Sequence, residues 1–158
     1  RFYRRLGSLI ELDVPKGYIK LLMPGDYEGM EVELQSTGWP RRSWPKVAKY
    51  MEPEKFDAIL TRNIGFLDLY DSSANNGVLD CLVRATPLLV TGHPAVVEYL
   101  GPRYPLYFRD LTEAAEKLRD MTKLVQAHQY LLHPSLYDQV SLAKFVDRVQ
   151  ATEVYQSL

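Results

Sequence analysis

The sequence predicts an α/β fold, a doubly wound, Rossmann-like parallel sheet with helices on both faces, in a single domain over residues 1–158. Three observations predict it. From Pro53 onward, apolar runs of strand length alternate with segments of helical periodicity, the order that builds a parallel sheet. The strand runs lack clean polar–apolar alternation, as expected of parallel strands covered on both sides. Prolines, glycines and capping residues punctuate the boundaries, and right-handed crossovers then fix the topology of each unit.

Residues 1–50 are the least regular. Phe2, Leu6, Leu9 and Ile10 have helical spacing. Asp13 to Gly17 breaks the chain, and Tyr18 to Met23 reads as a short strand closed by Pro24 and Gly25. Met30, Val32 and Leu34 alternate and favour a strand within residues 26–38. Trp39 to Pro45, WPRRSWP, is a stiff loop because two prolines exclude a helix or a central strand. Its basic and aromatic side chains could stack a base, or simply form a surface loop.

Pro53 suits the first turn of a helix with Phe56, Ile59 and Leu60 inward and Asn63 as a left-handed cap. Ile64 to Asp71 is an apolar run of strand length. Asn75 to Ala85 is a helix with Val78, Leu79, Leu82 and Val83 inward. A second strand, Pro87 to Thr91, leads to a short helix, Pro94 to Leu100, ended by Gly101. Tyr104 to Phe108 is a third strand. Asp110 and Glu113 form a capping box for one long helix with the stripe Leu111, Ala114, Ala115, Leu118, Met121, Val125 and His128. His133, before Pro134, marks a helix end. The last helix begins near Ser141, with Phe145, Val146, Val149 and Val154 inward.

Composition narrows the function classes. The formal net charge of −1 gives no global pull toward nucleic acid or an anionic membrane. Cys81 is the only cysteine, which excludes an intramolecular disulfide and a multi-cysteine zinc site. A reducing, cytoplasmic location is the expectation. No apolar run approaches the ~20 residues of a transmembrane span. Arg1 stands where an initiator Met would be, so a piece of a larger protein is expected. No Walker loop, no GxGxxG after a strand and no GxSxG elbow is present, which argues against ATP hydrolysis, ordinary dinucleotide binding and α/β-hydrolase chemistry.

In a doubly wound sheet, ligands sit beyond the carboxyl ends of the strands. Two segments should lie there. In the first, Tyr70 to Gly77, Ser72, Ser73 and Asn75 can each cap the following helix. With Asn76 they surround a helix start whose free amides and dipole favour an anion such as a diphosphate. An ordinary ligand-free cap is the alternative. In the second, Thr91 to Glu98, Gly92 permits close backbone approach or an unusual dihedral. His93 could donate to a diphosphate or a sugar hydroxyl, and Glu98 lies about one turn into the helix that follows. A loop histidine and a first-turn carboxylate are the plainer readings. Asp80, one turn beyond Asn76, could hold the two hydroxyls of a ribose or be a solvated helix residue. The histidines show no metal-ligand spacing, so neither a metal nor a cofactor is expected.

The stretch Ile64 to Leu118, beginning IGFLDLYDSSANNGVLDCLVRATPLLVTGHPAVVEYLGPRYPLYF, resembles the C-terminal, donor-binding domain of GT-B-fold glycosyltransferases. The resemblance lies in the order of parts: strand, small-residue loop, helix with an acid, Thr86-Pro87 and an apolar strand, Gly92, and a second acid at Glu98. It implies that the helix start near Asn75 and Asn76 faces the diphosphate of a nucleotide sugar, and that Gly92 and Glu98 contact the donor sugar or the loop beside it. It also implies that Asp80 takes the place of the ribose-binding acid of an E-x7-E pattern, although Ser72 stands eight residues earlier where that pattern has its first acid. The acceptor site, and in inverting members the base, would belong to an N-terminal domain missing from this chain, and the last helix would pack toward that domain. The expected activity is therefore the donor half of a glycosyltransferase, inactive alone. A non-catalytic nucleotide- or sugar-binding module, or a sugar-phosphate isomerase or epimerase on a similar fold, is the alternative. Neither nucleic acid nor a transmembrane segment enters the reading.

Overall fold

The structure, a computed structural model, describes residues 6–23, 27–70 and 76–157. It is a mixed α/β arrangement with two small parallel sheets. In the first third, α1 (Leu6–Glu11), β1 (Leu21–Leu22), α2 (Tyr27–Ser36) and β2 (Lys46–Val47) surround a short 3-10 turn at Arg41–Ser43. β1 and β2 pair in parallel with Leu21 opposite Lys46. A second sheet holds β3 (Gly65–Leu67), β4 (Leu88–Thr91) and β5 (Tyr107–Phe108) in that order, all parallel. α3 (Pro53–Leu60), α4 (Asn76–Val83), α5 (Pro94–Leu100) and α6 (Leu111–Arg119) alternate with these strands. α7 (Met121–Leu131), α8 (Pro134–Val140), α9 (Leu142–Gln150) and α10 (Glu153–Gln156) complete the chain.

The apolar run of β4 is buried throughout its first three residues, as a central parallel strand requires. Its neighbours put Leu67, Leu106 and Phe108 into the same core, and α4 adds Val78, Cys81 and Leu82. Gly65 matters here. A Cβ on it would lie 2.7 Å from Cδ1 of Leu88 and 3.0 Å from Sγ of Cys81, so the close packing of α4 against the sheet needs glycine at this point. A smaller core joins Ile10, Met30 and Leu34, with Leu22, Trp44 and Val47 packed against it.

Several expectations change. Residues 27–36 form a helix, not a strand: Met30 and Leu34, four apart, share its buried face while Val32 is exposed. Asn63 is not left-handed; its side chain donates to the Ile59 carbonyl at 2.7 Å and closes the end of α3 from outside. Val83 faces solvent and Cys81 takes the inward place. The expected long helix is two, divided at Asp120, whose carboxylate accepts from the Lys123 amide at 3.1 Å and starts α7 anew. The inward set then becomes Leu124, Ala127 and Leu131, leaving Met121 and Val125 exposed. His128 is exposed on α7, with its Nδ1 2.8 Å from the Ala85 carbonyl. α8 is an additional helix that His133 caps. Phe145, Val146, Val149 and Val154 point outward; Phe145 is 63% exposed.

Candidate functional site

β3 and β4 lie side by side in parallel, so the segments that follow them leave the sheet at the same end. Thr91 stitches these ends together. Its Oγ1 accepts from the Leu69 amide at 2.9 Å and donates to the Leu69 carbonyl at 3.2 Å. Asp68, between β3 and Leu69, is buried, and Ser8 of α1 donates to its Oδ2 at 2.5 Å. A carboxylate inside the apolar run Ile64 to Asp71 is the available signal for this residue, and strand length alone does not single it out.

Beyond β4, His93 caps α5 with its own ring: Nδ1 accepts from the Ala95 amide at 3.3 Å. The nitrogen left for any ligand is Nε2. Gly92 is exposed and takes no positive φ; among the described residues the positive-φ glycines are Gly17, Gly38 and Gly101. A Cβ at Gly92 would meet only the Tyr107 ring at 3.9 Å, so neither an unusual dihedral nor a tight approach within the chain requires glycine there. Glu98 lies on the exposed side of α5.

Beyond β3, Ser72, Ser73 and Asn75 lie outside the described residues. Asn76 is the exposed first residue of α4, where the opening amides have no partner within the helix. Asp80 follows one turn later. Its Oδ1 accepts from Nη1 of Arg84 at 3.1 Å, while Nη2 of the same guanidinium meets Asp57 of α3 at 2.6 Å. The Arg84 guanidinium lies 5.5 Å from the centre of the Phe56 ring. Asp80 is thus held from one side by an arginine that also joins α3 to α4.

Asn76, Gly77 and Asp80 border a cavity of about 1210 Å³ that extends along β3 to β1 and its flanks. Its walls are mainly apolar, including Leu12, Leu21, Phe56 and Phe66, with Lys20, Arg62 and Asn63 as polar points. Gly92, His93 and Glu98 do not border it. The geometry therefore brings Asn76 and Asp80 together on one wall, and the ends of β3 and β4 together through Thr91. His93 and Glu98 remain on the neighbouring helix.

Among the described residues no group of three His, Cys, Asp or Glu side chains is placed to hold a metal ion. Cys81 is buried and forms no disulfide. No described helix is long and apolar enough to cross a membrane. No family model matches the chain, and neither a curated protein nor a solved structure does.

Proposed function

We propose that the chain is the donor-binding half of a glycosyltransferase and holds the diphosphate of a nucleotide sugar at the start of α4. The observation that carries this reading is the Thr91–Leu69 stitch, which keeps two adjacent βα junctions at one end of one parallel sheet. Ligand sites of open parallel sheets lie at such junctions. The amides of Asn76, Gly77 and Val78 supply donors at the positive end of α4. His93 Nε2 adds a donor from the second junction.

The doubly wound form belongs to the same proposal. With β1 beside β3, the two sheets would run as one, in the order β2-β1-β3-β4-β5, and the strand order would reverse beside the cavity. Asp80, steadied by Arg84, keeps Oδ2 for a ribose hydroxyl. In the transfer step an acceptor hydroxyl loses its proton and its oxygen bonds the sugar carbon as the sugar–phosphate bond breaks, and negative charge grows on the leaving diphosphate. Preset amide dipoles stabilise that charge without reorganising, and one such donor is worth roughly 3 kcal/mol.

A thermal-shift series with UDP, GDP, ADP and dTDP tests the reading. A diphosphate present at 100 times its dissociation constant should add about 2.7 kcal/mol of stability. Asn76→Asp puts a like charge at the helix start and should abolish most of that gain. A blank across all four nucleotides, or a gain unchanged in Asn76→Asp, removes the proposed site.

A further inference from the structure

The charge of the chain is near zero overall but is not evenly spread. Residues 14–23 and 39–51 hold six of its 19 Lys and Arg and none of its 20 Asp and Glu. These two segments are brought together by the parallel pairing of β1 with β2, which sets Leu21 opposite Lys46. Their N-terminal flanks, residues 16–20 and 39–45, therefore share one end of the small sheet.

That end is tied by its own hydrogen bonds. Ser43 donates its amide to the Pro40 carbonyl at 2.8 Å, and the Trp44 indole Nε1 donates to the Trp39 carbonyl at 2.9 Å. The Trp44 ring packs on the Ile10, Met30 and Leu34 core and lies 5.8 Å from the Arg41 guanidinium. Tyr18 closes a turn onto the Pro15 carbonyl at 3.1 Å. Lys16, Arg41, Arg42 and Lys46 are exposed, and none forms an ion pair among the described residues. The nearby Asp13 is engaged by Arg119 at 2.5 Å. Between these cations stand apolar side chains in water: Ile19 is 66%, Tyr18 42% and Trp39 37% exposed.

We infer that this end of the small sheet docks on an anionic phospholipid surface. Lys16, Arg41, Arg42 and Lys46 would face lipid phosphates, and Trp39, Tyr18 and Ile19 would enter the headgroup boundary. Exposed cations around exposed aromatic and aliphatic tips are the chemistry that holds a protein on an anionic bilayer without crossing it. A small anion is a poorer fit, because Lys16, Trp39, Arg41, Arg42 and Lys46 do not border the cavity beside Asn76 and Asp80. The partner suited to them is a broad surface.

Co-sedimentation of the full chain with vesicles of phosphatidylcholine, with and without phosphatidylglycerol, tests this. Binding is expected only to the mixed vesicles and should weaken as salt rises. Each cation near such a surface is worth about fivefold in affinity, so the double variant Arg41→Glu/Arg42→Glu should bind at least about thirtyfold more weakly. Ile19→Ser/Trp39→Ser should also release the vesicles while leaving the far-UV circular dichroism unchanged. No binding to mixed vesicles, or binding indifferent to the Arg41 and Arg42 reversal, overturns the inference. So does retention on single-stranded DNA without vesicle binding, or a chain-to-chain association that Ile19→Ser/Trp39→Ser dissolves in place of any vesicle effect.

Discussion

Ala85 has a φ of 50°, the left-handed region that costs a side chain roughly 1–2 kcal/mol. It sits where α4 must stop and turn back into the sheet. The Thr86 amide reaches the Cys81 carbonyl at 2.8 Å and the Ala85 amide reaches Leu82 at 3.0 Å, the paired bonds of a Schellman end. Thr86 Oγ1 then donates to the Leu60 carbonyl at 2.9 Å, so the strained turn is locked against α3. Ala85→Gly should therefore stabilise the fold by about 1 kcal/mol, seen as a higher urea midpoint at unchanged slope. A lower midpoint would show that the buried methyl outweighs the strain. At Gly101, with a φ of 76°, the chain already uses glycine, and a Cβ there would also lie 2.8 Å from the Tyr130 hydroxyl. The sequence announced Gly101 as a helix stop but concealed Ala85, because alanine is the strongest helix former and carries no stop signal. Asp68 was hidden for a related reason: one acid in an apolar run says nothing about a partner sixty residues away at Ser8.

Elements with strong punctuation were legible to within a residue or two. α5 begins at Pro94 and ends before Gly101, as its proline and glycine foretold. α2 was misread because three apolar residues at alternate positions satisfy a strand, while two of them, four apart, equally satisfy a helix. The division between α6 and α7 was missed because the spacing of Leu111, Ala114, Leu118 and Val125 runs through Asp120 as though it were helical. Asp120 instead has an extended backbone, φ −89° and ψ 92°, and ends one helix while capping the next. Asp120→Ala should remove the bond to the Lys123 amide and cost about 1 kcal/mol, with the loss of amide protection concentrated in the first turn of α7. Faster exchange spread evenly over both helices would instead point to one continuous element. α9 kept its expected amphipathic pattern, yet its apolar residues face outward, so periodicity located the helix without identifying what it faces.

At the scale of the molecule, alternation of strand and helix from Pro53 onward correctly gave three parallel strands in chain order. It does not say which strand pairs with which, since hydrophobic periodicity reports burial and not which edge a strand joins: β1 pairs with β2, and β3, β4 and β5 pair in that order. The candidate site was legible in the same partial way. Asn76 and Asp80 were paired by helical spacing alone, whereas the hold of Arg84 on Asp80 also involves Asp57, from a different helix. A similar cross-element tie predicts how the whole fold responds to acid. Glu113 of α6 accepts from Lys117 at 2.9 Å and from both the amide and the side chain of Arg109 at 3.0 Å. Lys117 in turn donates to the Tyr107 carbonyl of β5. The Lys117 ammonium, then the Arg109 donors, hold the Glu113 carboxyl at about 2, well below its ordinary 4.5. A carboxylate with a depressed folded value binds protons more readily when unfolded. Its contribution is therefore complete above about 4.5 and is lost as pH falls from there through about 2. Glu113→Gln cannot titrate, so its stability deficit against the parent chain should be constant from neutral pH to about 5 and should shrink steadily below that. Urea unfolding of both proteins at neutral pH and at two acidic points measures it, and a deficit of equal size at every pH would mean that Glu113 ties α6 to β5 by shape and not by charge.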